Sequence, residues 1–124
     1  MADMPVANPL DTAKAVQKSR IKAAFEKATQ AGCTLKAGYV MDAGAEDIAS
    51  VTRQRDRLKE TGTATTTVQL RDKQNQFHAV NIADLTTITA ELFDYGIAMR
   101  QRKWDREAAI DACKTVDAVE AIVW

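Results

Sequence analysis

The chain has 124 residues, 46% of them hydrophobic and 27% charged, enough for one domain with a modest core. Lys+Arg and Asp+Glu both number 17, so the net charge is zero. That excludes the basic excess by which nucleic-acid and anionic-membrane binders usually work, and an aromatic share of 6% argues against a wide, ring-lined small-molecule pocket.

Met1 to Leu10 reads as an N-terminal arm. Pro5 and Pro9 interrupt regular structure there, and the stretch lacks the apolar run of a signal peptide. No later stretch has the ~18 apolar residues of a membrane span. Residues 11–124 read as a single α+β domain. Asp11 or Thr12 caps a first helix running to about Ala31, with Val16, Ile21, Phe25 and Ala28 at helical spacing and Gly32 just past its end. Two short strands follow, Thr34-Leu35 and Tyr39-Val40-Met41. Next comes a helix with Ile48, Val51 and Leu58 on one face, closed by Gly62.

The segment TTTVQL-RDKQN-QFHAVNI reads as a hairpin, with Val68 and Leu70 on one face and a polar turn. Asn81 caps the helix that starts at about Ile82. Leu85, Ile88, Leu92, Tyr95 and Met99 form its stripe, which resumes at Ile110 and Cys113. One helix of about 30 residues accounts for this phase, and Gly96 in its middle points to a close helix crossing. Thr115 caps a last short helix in VDAVEAIV. Asp47 to Thr52 resembles Asp84 to Thr89, 37 positions on. The plan is therefore α–(ββα)–(ββα)–α, in which both copies can give strands to one small antiparallel sheet covered by the first and the long C-terminal helices.

A catalytic centre is not visible. His78 is the single histidine and reads as a half-buried structural residue. No metal-binding spacing, P-loop, GxGxxG or GxSxG occurs. Cys33 and Cys113 read as buried reduced thiols. Asp42, Glu46 and Asp47 suit a turn and a helix start, and Glu107 and Asp111 an exposed helix face. Arg100, Arg102, Lys103 and Arg106 circle their helix and read as solvated. No catalytic, cofactor-binding or metal residue is expected. Ile97 and Trp104, seven apart and off the main stripe, can form a second apolar face, which suits either the monomer core or a subunit interface. Pro5, Val6, Pro9 and Leu10 of the arm, with Ile122 and Trp124 of the tail, complete the candidate interface.

From Ser19 to Trp124 the chain resembles DUF4376, a domain of unknown function found in bacteriophage and prophage tail-fibre proteins. The resemblance is carried by RIKAAFEKATQAG, by VQLRDKQNQFHAVNIADLTTITAEL and by RQRKWDREAAIDACKTVDAVEAIVW. It supplies no catalytic residues. It implies a non-enzymatic structural protein of the virion tail, made in the host bacterial cytoplasm. Such a protein would contact other tail-fibre or baseplate proteins and form a homo-oligomer, a trimer by the symmetry of tails. With so short an arm before it, a small adaptor is expected in preference to a fibre. The alternative is a fibre-assembly chaperone absent from the virion. The resemblance implies no nucleic acid, membrane, cofactor or small-molecule partner.

Overall fold

The computed structural model describes residues 8–124. The fold is α+β, in the order α1 (Pro9–Ala31), β1 (Cys33–Thr34), β2 (Val40–Met41), α2 (Ala45–Thr61), β3 (Val68–Arg71), β4 (Phe77–Val80), α3 (Ile82–Ala112) and α4 (Val116–Glu120). Pro5 and Val6 lie outside the described residues. Pro9 and Leu10 do not belong to an arm: α1 starts at Pro9. Asn8 caps it, its Oδ1 accepting from Leu10 N at 2.8 Å and its carbonyl from Thr12 N at 2.9 Å. Proline fits the first helical position because the N–H it lacks there would have no helical acceptor.

The strands pair as two separate antiparallel ribbons, β1–β2 and β3–β4, and not as the one sheet expected. The first ribbon has only the pairs Cys33–Met41 and Thr34–Val40. Lys73 N donates to Val40 O at 2.8 Å, a single bond that ties the second hairpin's turn to β2 without extending a ladder. The second ribbon pairs Val68 with Val80 and Leu70 with His78. It is shorter than its β-rich sequence. Thr63 N donates to the Thr66 hydroxyl at 2.9 Å, so the threonines before β3 close a local turn and give up the ladder. Beyond Val80, Asn81 is already a helix cap.

That cap is reciprocal. Asp84 N donates to Asn81 Oδ1 at 2.9 Å, and Asn81 N donates to Asp84 Oδ2 at 3.0 Å. Asp47 makes one half of this arrangement for α2, accepting from Gly44 N at 3.1 Å, and glycine has no side chain to return the bond. The matching positions of the two ββα stretches thus perform one local task. α3 runs unbroken for 31 residues. Gly96 does not mark a close crossing: a Cβ there would meet Ile48 Cδ1 at 3.9 Å, an ordinary contact.

The described residues form two compact units. One comprises Ala28–Met99, the other the described residues up to Lys27 with Arg100–Trp124; α1 and α3 contribute to both. In Ala28–Met99, Leu85, Ile88 and Leu92 of α3 pack with Leu58, Leu70 and Val80 in one buried cluster. Tyr95 joins it and donates its hydroxyl to Ala28 O at 2.6 Å. In the other unit Ile21, Ile110 and Val119 are buried to 1% exposure or less, with Leu10, Cys113, Ile122 and Trp124 packed around them.

Candidate interaction site

The β3–β4 turn places a carboxylate under the histidine. Asp72 Oδ1 accepts from Gln74 N at 2.8 Å and Gln76 N at 3.0 Å, an Asx turn that needs an Asp or Asn. Asn75 takes the left-handed conformation, φ 63°, which Asn tolerates. The free oxygen, Oδ2, stands 2.7 Å from His78 Nε2. An ionised carboxylate only accepts, so the ring N–H donates. His78 also stacks on Tyr39 with ring centroids 3.6 Å apart and planes 9° from parallel. The half-buried histidine therefore links the turn of one ribbon to the loop of the other.

The hydrogen bond from His78 holds the Asp72 carboxyl below the usual carboxylate range. Burial opposes this, and the two turn amides add to it. Burial pushes the Tyr39 phenol up, and the carboxylates of Asp84, Asp72 and Glu91 push it further. Folded Asp72 gives up its proton more readily than unfolded Asp72. Its contribution to stability is present above about pH 4 and is lost as pH falls through the depressed folded value. Asp72→Asn is accordingly expected to flatten the acid limb of the stability–pH curve, measured as thermal midpoint against pH. An acid limb identical to that of the parent chain would contradict the assignment.

Beside this cluster lies a cleft of about 510 Å³. Its walls are Phe77 to Val80 of β4, Lys36, Ala37 and Tyr39 of the β1–β2 loop, and Asp84, Thr87, Ile88 and Glu91 of α3. Glu91 Oε1 accepts from Lys36 N at 3.0 Å. Three of the chain's few rings, Tyr39, Phe77 and His78, thus share one cleft. An Asp–His pair activates a nucleophile when one stands against the other ring nitrogen, but no nucleophile is hydrogen-bonded to His78 among the described residues. Nor does any group of three or more His, Cys, Asp or Glu there have metal-binding placement. Among the described residues no helix is long and apolar enough to cross a membrane.

The proposed interface residues divide in two. Ile97 is 53% and Trp104 56% exposed, and Phe93, which the sequence reading passed over, is 51% exposed. Phe93 and Ile97 are one turn apart on α3 and so share a face. Pro9 is exposed at the start of α1. Leu10, Ile122 and Trp124 serve the fold instead, packing on the Ile21 cluster. Trp124 meets Phe25 edge-on at 6.2 Å, with the Arg102 guanidinium 4.6 Å from its centroid. Arg102 donates to Trp124 O, and Arg106 Nε to Val123 O at 2.8 Å. Lys103 pairs with Glu107 at 3.0 Å and Lys18 with Asp111. Among the described residues the basic group read as solvated thus finds partners within its own unit, except Arg100. Cys33 is buried and reduced, and Cys113 half-buried and reduced.

A family model described as a domain of unknown function (DUF4376) matches residues 12–123. No curated protein and no solved structure matches the chain.

Proposed function

The chain belongs to the DUF4376 family, and on that premise we propose that it is a non-enzymatic structural component of a bacteriophage tail, acting by protein–protein contact at the tail fibre or baseplate. The observation that carries the contact role is Phe93 with Ile97. Two large apolar side chains stand more than half exposed, one turn apart on α3. Scattered apolar residues are ordinary on a surface, whereas a paired set on a rigid helix is what an interface centre uses. The tail assignment comes from the resemblance of the sequence to tail-fibre-associated domains.

In the encoding phage or prophage, the double variant Phe93→Ser with Ile97→Ser should leave the purified protein folded. It should also lower the amount found in purified particles by at least tenfold, measured by mass spectrometry. Undiminished incorporation would sink the contact role. Absence of the parent chain from particles that nevertheless need it for fibre attachment would favour the assembly chaperone.

A further inference from the structure

Among the described residues β4 has an unpaired outer edge, and the cleft runs along it. Asp72 N donates to Gln76 O at 2.8 Å. Counting from that pair through the register, Leu70–His78 and Val68–Val80 are the hydrogen-bonded pairs of the ladder. The N–H and C=O groups of Phe77 and Ala79 therefore point away from β3. Among the described residues the ribbon has two strands, and no other group there takes up these outward donors and acceptors.

Side chains of successive residues lie on opposite faces of a strand. Phe77 and Ala79 are on the exposed face, and His78 and Val80 on the inner one, half-buried and buried. All four line the same cleft. Residues of both faces border one cavity only where that cavity runs along the strand's edge. Its far wall carries the carboxylates of Asp84 and Glu91 against the single ammonium of Lys36. Tyr39, lining the same space, has its phenol pushed up by burial and then by those carboxylates with Asp72. Phe77, 65% exposed, offers an apolar surface beside the unpaired backbone.

We propose that the outer edge of β4 takes an extended segment of a partner protein by strand addition, with basic side chains of that segment reaching Asp84 and Glu91. Main-chain bonds to Phe77 and Ala79 supply the affinity and the acidic wall the selectivity, the usual division in strand addition. This goes beyond the Phe93–Ile97 reading. It concerns a different surface and stands or falls without it.

The test uses the full chain labelled with ¹⁵N and two capped pentapeptides, Thr-Lys-Val-Lys-Thr and Thr-Glu-Val-Glu-Thr. The basic peptide is expected to shift the Phe77 and Ala79 amides saturably and to slow their hydrogen exchange. The acidic peptide should bind about tenfold more weakly. Ala79→Pro removes an outward-pointing N–H and no ladder bond, a substitution that sheet edges accommodate although it also fixes the local φ. It should weaken the basic peptide about tenfold or more with the α3 amide shifts unchanged. Glu91→Gln should weaken it while leaving an acceptor for Lys36 N. Two basic peptides N-methylated on alternate residues supply an arm that needs no protein variant: one of the two should lose binding.

Shifts centred elsewhere, equal binding of the acidic peptide, or indifference to N-methylation would overturn the proposal. So would the absence of saturable shifts at millimolar peptide. If protection of Phe77 and Ala79 instead rises with protein concentration alone, the edge pairs with a second copy and the partner assignment is wrong.

Discussion

Gly32→Ala is expected to lower stability by about 3 kcal/mol, measured by urea unfolding. Two independent reasons converge. Gly32 ends α1 at φ +84°, where an L side chain costs about 1–2 kcal/mol. The space is also taken: a Cβ would lie 2.7 Å from Met41 O and 2.9 Å from Val40 Cγ1. The first obstacle is backbone, so β2 itself must shift, and overpacking of that kind costs about 1–3 kcal/mol. Gly32→Asn separates the two effects. Asn tolerates the left-handed conformation but still brings a Cβ against Met41 O, so it should recover only part of the loss. Gly96→Ala in the same measurement should have the opposite sign. It sits inside α3 with room for a methyl group, so helix propensity should make the variant more stable by about 1 kcal/mol. A loss below about 1 kcal/mol for Gly32→Ala would mean that β2 yields freely.

The helices were largely legible because their signals are local. Asn81 and Asp84 lie three apart and cap one helix end. Leu85, Ile88 and Leu92 repeat at the period of one helix, and all three are buried. Pro9 opens α1 where the sequence pattern suggests an arm, because proline breaks a helix interior yet is tolerated in the first turn. Gly96 was misjudged because a glycine inside a helix reports lost propensity and says nothing of what faces it. The separation into two ribbons is not legible in the sequence, because alternation reveals that a strand exists and not which strand it meets. The site was the least legible part. Asp72 was read as turn chemistry, which it is, but its second oxygen also holds His78. Tyr39 reaches the same ring from another ribbon. Nothing in the spacing of 39, 72 and 78 announces that meeting; it follows from the turn geometry and from the bond between Lys73 N and Val40 O. Phe93 escaped notice because its neighbour Leu92 accounted for the stripe.

Leu92 and Phe93 provide the sharpest separation of fold from contact. They are adjacent on α3, yet Leu92 is 0% and Phe93 51% exposed. Leu92→Ala is expected to cost about 3 kcal/mol, since it removes a fully buried side chain from the cluster with Leu85 and Val80 and leaves a cavity. Leu92→Met, which roughly conserves volume, should cost less than about 1.5 kcal/mol. Phe93→Ser should stay within about 0.5 kcal/mol of the parent chain, because little packing is lost at an exposed site. The effects should reverse when contact is measured. Leu92→Met keeps the proposed contact face and, on that proposal, should enter particles normally, whereas Phe93→Ser together with Ile97→Ser, though folded, should not. If Phe93→Ser proves as destabilising as Leu92→Ala, the ring belongs to the core of its unit. The exposed pair would then lose its claim as a contact surface, and the β4 edge would be left as the surface through which the chain meets a partner.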